Sequence, residues 1–430
     1  MSSLGGLGTL WRAARRGKRE QWYSPNRLRE LQISRLQRLG RVAIASPYYQ
    51  AAFETAGIAP RDLRSLEDLT RLPLLEKFTL QQHGDELLTE DIPASSITVA
   101  TSGSTGQPLR VHRSTSDQAQ VSAVWARIFD SYGRRPFDRQ INIGSGRAVV
   151  KTGPAALLRK VGLLRVYQLS SFDPMDKQIE LLRRIKPQLL SAYGIGLELV
   201  AEALVDGGIS DVRPRIVYTS GTALSARGRA LAEEAFGTRP LDVYAANEVG
   251  PIAWECPVNR GFLHLNDDTQ VTEIVDDAGE PVPPGEVGQV VVTQLLCTMQ
   301  PIIRYRIGDQ AQLHRATCSC GRGTRLMSPV LGRTQHVIRA PDGRTLNTVV
   351  VSAILGVMPE VKRYQVQQTG KSDLLILIVP GTGWSTATEG VVQLKFRERL
   401  GDAFNYHLLA VDDIRLAPGG KFQTILPLGS

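Results

Sequence analysis

Cysteine is scarce, with four residues in a chain of 430. So few thiols exclude the disulfide framework of a small secreted domain and fit a reducing compartment. No apolar run approaches the ~18 residues that a membrane-spanning helix needs. The N-terminus also lacks an apolar core followed by a small-residue cleavage site, so neither a span nor a secretory signal is expected. A cytoplasmic protein is the expectation. Aromatic residues make up only 6% of the chain, without the basic interleaving that single-stranded nucleic acid requires. One further motif is missing. In "TVATSGSTGQPLRV" (98–111), Gly103 and Gly106 stand too close together for a Walker loop, and no Lys follows Gly106.

What is present is an ordinary soluble composition, 42% hydrophobic, in a chain long enough for two or three domains. The net charge of +9 is lopsided, because residues 1–45 hold ten Lys/Arg against two Glu. A basic excess confined to one terminus does not mark a nucleic-acid enzyme. Arg12, Arg15, Arg16 and Arg19 would share one face of a helix, which Trp11 and Trp22 could anchor on an acidic partner or a membrane surface. A solvated, frayed terminus is the preferred reading.

Apolar spacing predicts one or two helices from Leu28 to Ala45, broken at "SPYYQ". Strands and helices then alternate: "QINIG" (140–144), a helix near 175–186, "RIVYTS" (215–220), a helix near 225–236 and "LDVY" (241–244). That alternation implies a layered α/β body. "QVTEIV", the turn "AGEPVPPGEVG" and "QVVVTQL" read as a hairpin. A smaller α+β unit is expected after Gly332, with strands at 335–339, 361–367, 373–379 and 413–416 and helices near 348–356 and 388–400. The expected domains are therefore 1–331 and 332–430.

The small-residue stretch Thr101–Gly106 is followed by an alternating, strand-like "LRVHRS". It should be a hairpin loop that turns N–H groups and hydroxyls toward phosphate oxygens; a plain polar turn is the alternative. Four stretches join it: "YTSGTAL" (218–224), "YAANEVG" (244–250), "YRIGDQ" (305–310) and "PGGKFQT" (418–424). Separately, Cys318 and Cys320 in "CSCG", with Cys256 and His264, form a Cys₃His set suited to one structural zinc ion. Cys297 reads as a buried core residue.

Taken in order, the five stretches resemble the adenylate-forming superfamily of acyl-CoA synthetases and adenylation domains, in its phenylacetate–CoA ligase and CapK-type branch. The resemblance covers roughly residues 25–425. It implies a large α/β N-terminal domain and a small mobile C-terminal domain, acting with ATP and Mg²⁺ on a carboxylic acid, expected to be aryl. Thr101, Ser102, Gly103, Ser104, Thr105 and Gly106 would hold the ATP phosphates. Tyr244 would stack on adenine, with the turn of Ser220, Gly221 and Thr222 on its other side. Asn247 would reach the α-phosphate, Glu248 would help hold Mg²⁺, Asp309 would accept the ribose hydroxyls, and Arg333 would mark the domain junction. Lys421 would stabilise charge as carboxylate and α-phosphate join. Tyr193, Thr219, Ala245, Ala246 and Gly250 are the acid-pocket candidates.

Departures from the branch stand out in three places: Asn247 in place of Thr and Ala245 in place of Gly, Gln335 in place of the hinge Asp, and "RAPDGRTLN" in place of a Gly-rich turn. The first is compatible with phosphate contact, since an Asn amide can donate to phosphate; the last two leave open a carrier-protein thiol or an amine as acceptor instead of CoA. A non-catalytic, zinc-stabilised nucleotide binder is the remaining alternative. A homodimer is an open option, and no nucleic-acid partner is expected.

Overall fold

The computed structural model describes the chain except for residues 1, 101–108, 145–162, 164, 223, 334–337, 341, 343, 347, 357, 416–421 and 429–430. Four helices open it: α1 (Ser2–Glu20), α2 (Pro25–Ala43), α3 (Pro47–Thr55) and α4 (Lys77–Gln82). Ser24 caps α2 and Pro25 opens its first turn, and Ser46 and Pro47 do the same for α3. A proline at the first helical position gives up an N–H that would have had no partner. "SPYYQ" is thus both the break after α2 and the start of α3.

The frayed-terminus reading of the basic N-terminus is corrected. Helix α1 lies against α5 (Thr115–Ser131). Arg16 Nη2 donates to Gln120 Oε1 at 2.6 Å, and Lys18 Nζ pairs with Asp130 Oδ2 at 2.7 Å. Arg35 holds both carboxylate oxygens of the buried Glu20, at 2.8 and 2.9 Å. Part of the basic stripe therefore reaches partners within the chain. Trp11 stays 59% exposed.

Strands β1 (Ile97–Ala100) and β2 (Arg110–Arg113) pair antiparallel on either side of the predicted phosphate loop, with Ala100 opposite Arg110. The hairpin expected from "LRVHRS" is present in its flanks, and the loop itself lies outside the described residues. The main body is an eight-stranded sheet. Its members are β3 (Arg139–Gly144), β4 (Arg165–Ser170), β5 (Leu189–Ala192), β6 (Ile216–Ser220), β7 (Leu241–Ala246), β8 (Gly250–Glu255), β9 (Leu263–Leu265) and, after an intervening sheet, β13 (Leu326–Met327). Their order is β13-β9-β8-β7-β6-β5-β3-β4, parallel from β4 to β7 and antiparallel from β7 to β13. Helices α6 (Met175–Ile185), α7 (Gly194–Asp206) and α8 (Ala226–Phe236) connect the parallel strands. Strands β4, β5, β8 and β9 and helices α5 and α7 were not expected from the sequence.

A four-stranded antiparallel sheet of β10 (Gln270–Val275), β11 (Val287–Gln294), β12 (Tyr305–Gln312) and β14 (Gly332–Arg333) stands beside it. Leu36, Leu63, Leu69, Ile274, Val290, Val292 and Tyr305, from the early helices and this sheet, form one apolar cluster. Each such side chain, fully buried, contributes about 1.5–3 kcal/mol.

The C-terminal unit has its own cluster, with Ile338, Val366, Ile376, Ile378 and Phe396 among its members. It holds the short pair β15 (Ile338–Arg339) and β16 (Thr345–Leu346), helices α9 (Thr348–Leu355) and α10 (Thr386–Leu400), and a sheet ordered β19-β18-β17-β20. These last strands are Asn405–Ala410, Asp373–Pro380, Val361–Gly370 and Ile425–Leu426 respectively. The strand expected at 413–416 is corrected: residues 413–415 belong to no strand, and the strand is Asn405–Ala410. As a sheet-edge strand it is largely exposed, so its apolar signal is weak.

One buried ion pair fastens the two sheets to α5. Arg127, 2% exposed, pairs through Nη1 with Asp268, 0% exposed, and donates through Nη2 to Asn266 Oδ1 at 2.6 Å. Removing one partner of such a pair strands the other charge away from water, at a cost of about 3–5 kcal/mol. Asp268→Ala should therefore lower the urea midpoint of the large domain by a corresponding amount, and Asp268→Ala with Arg127→Met should recover part of the loss.

Candidate active site

The candidate residues gather where the parallel strands end, the edge at which open α/β sheets bind ligands. Strand β5 runs into Tyr193, which precedes α7. The Tyr193 ring lies beside Gly144 at the end of β3, where an added Cβ would come within 3.8 Å of it. The next strand, β6, ends in Ser220-Gly221-Thr222, and the Gly194 N–H donates to Thr222 Oγ1 at 2.7 Å. Tyr193 and the 220–222 turn are thereby fixed together. Thr219 departs from its expected place. It is 0% exposed, and its hydroxyl faces Leu241 O and Asp242 Oδ1 on β7 at 3.5 and 3.4 Å. Thr219 sits in the sheet rather than on a pocket wall.

Strand β7 carries Tyr244, Ala245 and Ala246 to its end, and the turn to β8 carries Asn247 and Glu248. Gly250 closes the turn at φ +80°, and a Cβ there would meet Val121 Cγ1 at 2.9 Å. Both the left-handed backbone and the close approach of α5 require glycine. The Tyr244 hydroxyl donates to Asp309 Oδ2 at 2.8 Å, and the Tyr305 hydroxyl donates to Glu248 Oε1 at 3.3 Å. Two separate sheets thus converge on two carboxylates. Strand β12 is held firmly at its start. Arg304 adopts φ +51°, and its buried guanidinium donates to Leu72 O at 2.9 Å and Gly279 O at 2.6 Å while pairing with Glu273 at 3.2 Å.

Asp309 stands opposite Arg333 in the β12–β14 register. Thr101–Gly106 and Lys421 lie outside the described residues, as does the side chain of Arg333. Three residues that hold this edge were not singled out from sequence: Tyr305, Arg304 and Arg113. Tyr305 offered the only local signal, as the first residue of "YRIGDQ".

The Cys₃His set does assemble. Ligand atoms of Cys256, His264, Cys318 and Cys320 lie within 4.8 Å of one another. Cys256 Sγ is 3.6 Å from Cys318 Sγ, and Cys320 Sγ is 3.3 Å from His264 Nε2. Tetrahedral zinc with ordinary bond lengths places sulfur pairs about 3.8 Å apart and sulfur–nitrogen pairs about 3.5 Å apart, so the donor set fits. His264 Nδ1 lies 2.9 Å from Thr324 Oγ1, which orients the ring with Nε2 toward the thiols. Burial, aided by the Arg322 charge, pushes the imidazole down to about 4, so it is neutral near pH 7. Burial pushes the Cys318 thiol up to about 11. Burial acts the same way on Cys320, but the N–H and side chain of Arg322 outweigh it and hold this thiol below its ordinary value.

The ligand loop also grips the start of the chain. The Arg322 guanidinium lies over the Trp22 ring at 4.4 Å and the Trp254 ring at 5.0 Å, and its Nε donates to Gln21 Oε1 at 2.9 Å. Gly323 packs so closely that an added Cβ would fall 1.9 Å from Tyr23 O.

Residues 338–427 match the CapK C-terminal domain family. Over 94% of this chain and 97% of the relative, the sequence is 30% identical to the phenylacetate–coenzyme A ligase of Thermus thermophilus. The chain belongs to the phenylacetate–coenzyme A ligase family. It is an AMP-forming carboxylic acid ligase. It is also 21% identical to Protein CapK of Staphylococcus aureus, over 92% of this chain and 88% of that one. In fold it is similar to 2-hydroxyisobutyryl-CoA ligase in the postadenylation state, with a TM-score of 0.78, 22% identity, and coverage of 92% of this chain and 88% of that chain. Among the described residues, no helix is long and apolar enough to cross a membrane.

The cluster generates a prediction. Elemental analysis of the purified protein should give about one zinc per chain, and the pair Cys318→Ser and Cys320→Ser should abolish it. Stripping the metal should also open α1 to trypsin at Arg12, Arg15 and Arg19. A stoichiometry near zero in the parent protein contradicts the assignment.

Proposed function

We propose that this ligase activates an aryl carboxylic acid with ATP, releasing pyrophosphate, and passes the acyl group from the adenylate to CoA. The observation that carries the reading is the meeting of Tyr244, Asp309, Tyr305 and Glu248 at the end of the parallel strands. A carboxylate beside a phosphate site suits Mg²⁺, a hard cation that prefers oxygen ligands, and this is the role given to Glu248. Asp309, an acceptor with several lone pairs, suits paired ribose hydroxyls. Tyr244, tethered by its hydroxyl, would offer its ring face to adenine. Thr101–Gly106 would take the phosphates, with the Asn247 amide near the α-phosphate.

The acid would bind by Tyr193, Ala245, Ala246 and Gly250, where small side chains at 245 and 246 suit a flat ring. The relative's name, phenylacetate–coenzyme A ligase, supports an aryl acid and CoA. The Cys₃His cluster would hold zinc as a structural element, because all four of its donors come from protein and none is left for substrate. The domains would divide at 331/332, and the smaller would turn between half-reactions, as closure motions do in two-step enzymes. Pyrophosphate release, measured with phenylacetate and with 2-hydroxyisobutyrate, each with and without CoA, tests the reading. Release with the aryl acid and CoA-thioester formation are expected; release with neither acid overturns the substrate assignment.

Lys421→Ala should remove most adenylate formation, on the order of 10²–10³ in rate, as losing one preorganised charge-stabilising group does. ATP binding should persist, since such a group acts mainly in the transition state. Supplying preformed acyl-adenylate and CoA should restore thioester formation. Equal loss in both halves contradicts the two-faced domain.

A further inference from the structure

Arg113, the last residue of β2, is a cation 5% exposed. Its Nη2 donates to Asn247 O at 2.6 Å and to Glu248 O at 3.1 Å, and its Nη1 reaches Gln118 Oε1 at 3.4 Å. Among the described residues no carboxylate approaches within ion-pair distance. Burial opposes its charge, which Cys297, Asp117 and Glu248 support from further away. A buried guanidinium held chiefly by carbonyls is an expensive way to fill space, since an apolar side chain of similar volume often serves as well or better. What the guanidinium does that an apolar chain cannot is donate to two consecutive peptide carbonyls at once, both through Nη2.

The place of that grip gives it meaning. Strand β2 is paired to β1, with Ala100 opposite Arg110. The gripped peptides belong to the turn that carries Glu248. Behind Arg113, Ser114 caps α5, and Asp117 in its first turn accepts the N–H groups of Ser114, Thr298 and Met299 at 3.2, 3.0 and 3.2 Å, so the base of the arm is itself fixed. The Glu248 carboxylate is held from the opposite sheet by Tyr305.

We propose that Arg113 is a positioning residue for Mg²⁺·ATP: it fixes the turn that carries Glu248 against β2, and with it the place of the Glu248 carboxylate. The inference rests on the proposed adenylation site and adds a residue to it that never touches nucleotide. Mg²⁺ tolerates little departure from octahedral geometry, so slack in the turn is felt as lost metal coupling rather than lost nucleotide binding.

The test needs no knowledge of the acid. ATP affinity of the full-length protein is measured by calorimetry with Mg²⁺ and with EDTA, for the parent, Arg113→Gln, Glu248→Gln and the double variant. In the parent, Mg²⁺ should tighten ATP. Arg113→Gln should leave affinity in EDTA within about twofold and shrink the Mg²⁺ gain by about 10–100-fold, the usual loss when a metal ligand's support is removed. The double variant should be no worse than Glu248→Gln, and Arg113→Lys should recover part of the gain. If Arg113→Gln does not fold, Tyr305→Phe, which frees the same carboxylate from its other side, should show the same loss. A parallel fall in both affinities marks a merely structural residue and overturns the proposal, as does an unchanged Mg²⁺ gain in Arg113→Gln or, where that variant does not fold, in Tyr305→Phe. A parent that binds no ATP overturns the adenylation site itself.

Discussion

One hydrogen bond, from Tyr244 on β7 to Asp309 on β12, joins two sheets that share no strand at the edge where the candidate residues lie. The site depends on it. A parallel sheet alone offers turns and small side chains at its edge, and an antiparallel sheet alone offers a carboxylate on a strand. Brought to 2.8 Å, they present an aromatic ring and an acceptor to the same volume. The second bridge, from Tyr305 to Glu248, runs the opposite way, with the ring on β12 and the carboxylate beyond β7. Each sheet thus supplies one ring and one carboxylate, and neither pair exists unless the sheets are held at a fixed distance.

What fixes that distance lies behind the site. Arg127 on α5 grips Asp268 and Asn266, in the connection between β9 and β10, where the chain passes from one sheet to the other. Arg304 ties the start of β12 to Leu72, in the segment between α3 and α4. The Cys₃His cluster works at the far end of the large sheet, drawing β8, β9 and the 318–324 loop together and, through Arg322, holding the junction of α1 and α2. The basic N-terminus is thereby part of the structure, with Arg16 and Lys18 partnered on α5.

Much of this was legible in the sequence where local chemistry repeats itself. The β3, β6 and β7 strands, the β10–β11 hairpin and most of the C-terminal unit follow apolar periodicity and turn residues. The four metal-binding candidates could be named because thiols are so few. Three things were not legible. Strand β19 is too exposed to carry an apolar pattern. Helix α1 looks solvated until its partner α5 is known. Arg113 and Arg322 look like any surface arginine, and only tertiary structure shows one spanning two carbonyls and the other between two tryptophan rings. Thr219 is the reverse case: it lies inside a motif, yet it is 0% exposed and its hydroxyl faces β7.

Whether the Tyr244–Asp309 bridge builds the nucleotide site decides the role of both sheets. The direct measurement is a double-mutant cycle on ATP affinity using Tyr244→Phe, Asp309→Asn and the pair. Each single change should weaken binding, and the pair should bind no worse than the weaker single variant, because either change already breaks the bridge. Independent, additive effects, or affinity unchanged in all three variants, would contradict it.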